Sequence, residues 1–491
     1  MKKFVQKLAR SASLAMIALL GAAATRQDRI LSELPEATIP VRLTAVSDPV
    51  TGKSAFGYAD KDIPPVIRVQ PGSTVNVEYT NHLAVQSKEK CLDLPCMNMT
   101  NLHFHGLHVS PNKPQDDVLT MMAMPGETLH YAVQVPAEQA PGLYWYHTHP
   151  HGESYQQDLD GMSGAIVVEG IDRYVSEVAN MRERIMVLRD LVLPSDAADK
   201  NKVMEAVSMQ TTQCGTAPED PERAFTVNGT LRPQIDIAPG ERQFWRIVNA
   251  SPDRYVDLEL DSEPLGVVAL DGMPLAYHDP STLKRSMKHV LVPPAGRVEA
   301  IVTGPPVDSH AALRTNCFDT GPDGDSNPAM VLADIVPAKA SSPPAHHSLR
   351  GAPVHMVFSP TVLKRVEDTE PKFVVNFTED KQGFYINQQK FHMNDAPMLT
   401  VHVGSLQHWR VENLSKEVHP FHIHQVHFLV YAVGNKRLKD PVWLDTVDVP
   451  YGGSVDLVMD FTDPIIRGMS LFHCHLLNHE DKGMMAKILF K

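Results

Sequence analysis

Histidines spaced two apart carry most of the chemistry in this 491-residue chain. Four segments show the pattern: His103-Phe104-His105, His147-Thr148-His149, His422-Ile423-His424 and His473-Cys474-His475. A further match, His149-Pro150-His151, overlaps the second. Neutral imidazole is a common ligand for transition metals. Eight imidazoles suit several copper ions, whereas zinc, the plainer alternative, needs only three or four ligands. In His473-Cys474-His475 a candidate thiolate stands between two imidazoles. His479 and Met484 follow it, and His419 precedes the third pair in His419-Pro420-Phe421-His422. Two histidines, a thiolate and a weak axial methionine make a blue-copper electron-transfer site.

Strands are the elements that position such ligands. On extended backbone, residues i and i+2 share a face and i+1 takes the other. Each His-x-His segment therefore offers two imidazoles side by side, and Cys474 points away from its neighbours, so one strand touches two metal sites. The rest of the chain reads as β. Val66-Ile67-Arg68-Val69 leads through Pro71-Gly72 to the alternating Val75-Asn76-Val77-Glu78-Tyr79. Ile235-Asp236-Ile237 leads through Pro239-Gly240 to Gln243-Phe244-Trp245-Arg246-Ile247-Val248-Asn249. Leu399-Thr400-Val401-His402-Val403-Gly404 leads to His408-Trp409-Arg410-Val411-Glu412-Asn413. Three copies of strand, glycine turn, strand and Asn predict a repeated β-sandwich domain, and 39 prolines and 28 glycines supply its turns. Two histidine pairs fall in the first repeat and two in the third, so those repeats must touch. Boundaries are expected at Glu169-Gly170 and across Asp319 to Pro353, the latter an exposed linker.

Composition narrows the class. The chain is long enough for about three domains. A formal charge of −13 argues against nucleic acid as a partner. Lys2 and Lys3, the apolar run Ser13 to Leu20 and Ala22-Ala23-Ala24 read as a secretory signal over residues 1–24, too short to span a bilayer. The mature chain is expected to have no membrane span, to be periplasmic or secreted, and to act as a monomer. Of five cysteines, Cys91 with Cys96 and Cys214 with Cys317 are candidate disulfides, and Cys474 is left over.

His103-Phe104-His105-Gly106, Trp145-Tyr146-His147-Thr148-His149, His419-Pro420-Phe421-His422-Ile423-His424 and His473-Cys474-His475 with His479 resemble the four copper motifs of multicopper oxidases, in the bacterial laccase and copper-efflux-oxidase branch. The resemblance covers most of the chain and implies an all-β fold of three consecutive cupredoxin-like Greek-key sandwiches at 35–170, 171–345 and 346–491. It implies four coppers. Type 1 takes His419, Cys474, His479 and axial Met484, with Met485 the alternative axial group. Type 2 takes His103 and His422. The type 3 pair takes His105, His147, His149, His424, His473 and His475. Glu480 matches a family acid that relays protons. A second such acid follows the first motif, where Asp116 or Asp117 serves, although the loop from His108 to Gln115 is about two residues longer than the family's. His108 and His151 fall outside the pattern and read as surface or supporting groups.

The implied reaction is a set of four one-electron oxidations coupled to reduction of O2 to water. The expected substrate is a phenol or aromatic amine; oxidation of Cu(I) for copper tolerance is the alternative. Met97, Met99, Met121, Met122 and Met124 cluster near the first motif, but no long Met-rich insert interrupts the third repeat. Asp445, in Trp443-Leu444-Asp445-Thr446, lies in a region that in relatives borders the substrate pocket, where it is expected to bind a phenol or amine or simply to cap a turn. A non-catalytic cupredoxin scaffold lacks such ligands, and a nitrite reductase or small electron carrier lacks the four histidine pairs.

Overall fold

The computed structural model describes residues 30–48, 53–59, 61, 63–85, 98–192, 214, 223–307, 310–338, 352–356 and 358–491. Its strands form six sheets, two for each of three successive sandwiches: two of four strands, then eight and five, then six and five. The candidate signal, the pair Cys91 and Cys96, and Met97 lie outside the described residues. Among the described residues no helix is long and apolar enough to cross a membrane.

The repeated phrase proves to be the hinge of each sandwich. Its paired strands are Ile67–Val69 with Thr74–His82, Gln234–Ile237 with Arg242–Asn249, and Leu399–Val401 with Ser405–Asn413. In every copy the two strands join opposite sheets. The first strand pairs in parallel with the strand that ends the sandwich: Ser163–Val168, Met330–Pro337 or Met485–Phe490. The second lies between one parallel and one antiparallel neighbour. The chain must therefore cross from sheet to sheet in a few residues. Gly72, Gly240 and Gly404 make that crossing at φ of 82°, 72° and 105°, where a Cβ would be strained.

The Asn that closes each copy is a second repeated device. Asn81, Asn249 and Asn413 are fully buried. Each side-chain amide donates to two backbone carbonyls: those of Asn98 and Ala123, of Arg254 and Val292, and of Glu417 and Val449. Each side-chain oxygen accepts from the backbone N–H two residues on. Otherwise unpaired groups at the strand end are thus satisfied inside the core.

The expected linker from Asp319 to Pro353 needs correction. Met330–Pro337 is a strand in the sheet of the second sandwich, paired with Gln234–Ile237 and Ala311–Asn316. Upstream, Thr320, Ser326 and Asn327 are buried. The apolar run Met330 to Ala333 outweighs the glycine and proline around it, because it completes a sheet. Cys214 and Cys317 form a disulfide with Cα atoms 5.5 Å apart, closing a separation of 103 residues.

Candidate metal centre

The four His-x-His segments lie on or just beyond two pairs of adjacent antiparallel strands. In the first sandwich His103–His105 pairs with Gly142–His147, setting His103 opposite His147. In the third, His419–Ile423 pairs with Gly468–Cys474, setting His422 opposite His473. His424 and His475 directly follow their strands, and His149 stands two residues beyond its own. All eight imidazoles are buried and meet where the two sandwiches dock. Ring centroids of His103 and His424 are 3.9 Å apart, and those of His105 and His422 4.0 Å.

In His103, His105, His147 and His422 one nitrogen is engaged and the other is not. His103 Nδ1 lies 3.0 Å from Asp116, and His105 Nε2 3.2 Å from Asp445. His147 Nδ1 donates to the Thr148 carbonyl, and Asp158 stands 3.2 Å away. His422 Nδ1 donates to the Asp445 carbonyl at 2.8 Å. His473 Nδ1 donates to the Cys474 carbonyl at 2.9 Å, with Glu480 at 3.2 Å. The opposite atoms, His103 Nε2, His105 Nδ1, His147 Nε2 and His422 Nε2, are buried without partners, as are both nitrogens of His475. The Nε2 atoms of His149 and His424 approach His473 Nε2 at 3.5 and 3.1 Å. Neutral imidazoles with the outer nitrogen anchored present lone pairs inward, which is how proteins hold metal. Burial keeps them neutral, pushing His105, His149, His422, His424 and His475 well below the usual histidine range and His473 to about 3. Unpaired lone pairs buried at this density are costly unless a cation meets them, so the residues fit the metal.

Cys474 lies on the other face of its strand, in an apolar core with Phe421, Phe472 and Met484. Its Sγ is 3.4 Å from His419 Nδ1, which lies 3.3 Å from His479 Nδ1. His419 Nε2 bonds Ser415 Oγ at 2.9 Å, and His479 Nε2 faces Glu417 at 3.4 Å. Met484 is fully buried in this core, and its carbonyl accepts the Cys474 N–H. Met485 instead packs with Val118 and Leu471. Burial pushes the Cys474 thiol well up, a shift that a bound cation reverses.

The acids separate. Asp116 is buried and holds His103, the Phe104 N–H and the Gln425 amide. Asp117 instead caps its own loop, accepting from the Leu119 and Thr120 N–H groups. Glu480 is buried, within 3.5 Å of both His149 and His473. Burial raises its carboxyl well above the usual range, with Asp481 and Asp158 adding to this. Asp445 is buried beside His105 and His422, paired with Arg297 through contacts of 2.8 and 2.5 Å. Burial alone would raise its carboxyl, but the Arg297 guanidinium holds it below the usual range. It sits in the bend between the strands Lys436–Leu444 and Thr446–Val449, and its partners His105, Arg297 and His422 come from all three sandwiches, a placement that local sequence does not encode. Gly106 completes this corner: at φ 83°, a Cβ there would meet Arg297 Nη2 at 2.5 Å and Asp445 Oδ2 at 2.6 Å.

Sequence reasoning missed Asp158, Arg297 and Asp271. Asp158 lies in the short helix Ser154–Leu159, nine residues beyond the candidate ligand His149, and that proximity was the available signal. Arg297 and Asp271 come from the second sandwich, which has no histidine pair. Asp271 accepts the Arg297 N–H and, weakly, those of Asp445 and Thr446. His108 is half-buried on the Gln425 carbonyl, and His151 is half-buried with both nitrogens unpartnered beside His149.

Comparison with known proteins agrees with this geometry. Residues 42–172 and 360–491 each match a family described as Multicopper oxidase, and together these matches hold all twelve candidate ligands. The chain belongs to the multicopper oxidase family. It is a copper-binding oxidoreductase that uses O2, built on cupredoxin-like sandwiches. It is 24% identical over 446 residues to the multicopper oxidase mco of Staphylococcus aureus, covering 89% of this chain and 83% of that one. It is 27% identical over 477 residues to a laccase of Haloferax volcanii, covering 88% and 77%. In three dimensions it is similar to a Campylobacter jejuni multicopper oxidase described as a metallo-oxidase, with a TM-score of 0.71, 23% identity, and 94% and 95% of the two chains covered.

Proposed function

We propose that this chain is a laccase-type oxidase that couples four one-electron oxidations of a phenolic or other aromatic substrate to reduction of O2 to water. The carrying observation is the single strand Gly468–Cys474, which ends with His473 in one ligand set and Cys474 in the other, with His475 next in the chain and buried beside His473. In this reading the chain holds four coppers. One is type 1, at His419, Cys474, His479 and Met484. One is type 2, at His103 and His422. The type 3 pair is held by the six remaining histidines of the cluster. When bound, copper supplies one-electron acceptance at the thiolate and pooled reduction of O2 at the cluster. The backbone on either side of Cys474 is the shortest covalent link between the two sets.

The side chains around these ligands divide the remaining work. His479 stacks on Phe384 with ring centroids 3.8 Å apart, and its Nε2 edge meets Glu417. An aromatic wall beside a carboxylate suits a flat donor that loses a proton with its electron. On the O2 side, burial pushes the Glu480 carboxyl up beside His149 and His473, which suits it to carry a proton there, and Ser154 Oγ stands 3.4 Å from its Oε1. Asp116 fixes the ring of His103, which supports it as the second acid after the first motif.

Glu379, 3.7 Å from His419 Nε2, joins Glu417 at the thiolate site and favours a second reading, in which the donor is Cu(I). O2 uptake by the copper-loaded protein with a phenol, an aromatic amine and Cu(I), measured side by side, separates the two. Uptake with the phenol or amine supports the laccase reading; uptake with Cu(I) alone replaces it. We also propose that the chain is periplasmic or secreted, which the Cys214–Cys317 disulfide supports.

A further inference from the structure

A cavity of about 60 Å³ lies at the junction of the three sandwiches, one layer outside Asp445. His278 and His427 line it, together with Met273, Met356 and Trp443. The two imidazoles are oriented by the same device that orients the copper ligands. His278 Nδ1 donates to the Met356 carbonyl at 2.6 Å, so its Nε2 is a bare lone pair, buried and without a partner. His427 Nε2 donates to the Asp271 carbonyl at 2.9 Å, which makes Nδ1 its unprotonated nitrogen. Burial keeps both neutral, His278 down to about 3. The His278 ring is further clamped against Trp443, with centroids 4.1 Å apart. Packing accounts for two methionines in an apolar junction, but not for a buried imidazole whose second nitrogen has nothing to bond.

We propose that this cavity is an accessory binding site for a soft monovalent cation of the Cu(I) type, held by His278 Nε2 with the thioethers of Met273 and Met356 and with His427. Imidazole and thioether together select a soft ion over a hard one. The other nitrogen of each ring is tied to a backbone carbonyl, as it is in metal-bound histidines. His108 closes the rim without serving as a ligand, since its nitrogens face the Gln425 carbonyl and Asp463. Through His427 and Asp445 the site abuts His105 and His422, so a cation parked there stands next to the histidine cluster.

The test uses the copper-loaded protein and Ag(I), a redox-inert stand-in for Cu(I). After incubation and desalting, the wild type is expected to retain one silver per chain beyond its copper. His278→Phe keeps the ring on Trp443 but removes the nitrogen, and is expected to lose that silver with the blue band unchanged. Met356→Leu keeps the volume and is expected to weaken silver binding at least tenfold. No retained silver in the wild type, or equal retention in both variants, overturns the site. Because the readout is silver content, a failure here is distinct from a failure of the substrate reading.

Discussion

The thiolate site and the histidine cluster lie on two faces of one strand, yet they are built in opposite ways. His419, Cys474, His479 and Met484 all come from the third sandwich, within its own apolar core. The cluster takes four imidazoles from the first sandwich and four from the third, and its brace, Arg297, comes from the second. The brace is shared widely: Arg297 reaches Asp445 in the third sandwich and the Leu143 carbonyl in the first. One site therefore needs a single domain to fold. The other needs three domains to dock.

That contrast can be broken most completely at its shared residue. Cys474→Ser is expected to abolish the blue absorption and drop O2 uptake to background. Copper analysis should show only the thiolate-site metal lost, because His473 and His475 face the other way. Asp445→Asn should do the reverse, emptying part of the cluster while the blue band stays. It also leaves the buried Arg297 with Asp271, 3.6 Å away, as its remaining carboxylate partner, which should lower unfolding stability by about 3 kcal/mol in a denaturant titration. Adding Arg297→Met should restore most of that stability but not the copper.

A pH titration of the copper-free protein reads both sites at once. Burial lowers the histidine pKa values in the folded state, so the unfolded chain binds more protons below the ordinary value of 6.5. Their contribution to stability is complete above 6.5 and is lost as the pH falls toward about 3, where His419 and His473 titrate. Glu480, raised by burial, works oppositely: its contribution is present at low pH and lost as the pH rises through its folded-state value. Unfolding midpoints across this range should fall steeply on the acid side, and copper loading should flatten the fall. The smallest effect is expected from Asp117→Asn, which touches a loop cap and should cost about 1 kcal/mol or less, with copper content unchanged. A large loss of O2 uptake there would move the relay acid from Asp116 to Asp117.

The ligands were legible because their rule is local. A two-residue spacing on a strand fixes which side chains share a face, and Cys474 between two histidines follows the same rule. The repeated strand-glycine-strand phrase was legible for a similar reason, although its crossing between sheets was not. What local sequence could not show was set by docking. Asp445 reads like a turn residue, and only the seam reveals its partners Arg297 and His105. Met330 to Pro337 was hidden by its glycine- and proline-rich surroundings, since a strand at that place is defined by the sheet it completes. Asp116 and Asp117 differ by one position, and the loop's path alone aims one at His103 and the other at its own backbone.

The division of the cluster between two sandwiches also sets a schedule for making the protein. His149 and His473 stand 324 residues apart. At roughly 5–20 residues per second of synthesis, the second half of the ligand set emerges on the order of tens of seconds after the first. The nascent first domain displays four imidazoles with no counterpart, a half-site with no claim on a full complement of metal. Metallation of the cluster is therefore a late event in the life of the chain, and a complete metal count certifies that all three domains have found one another.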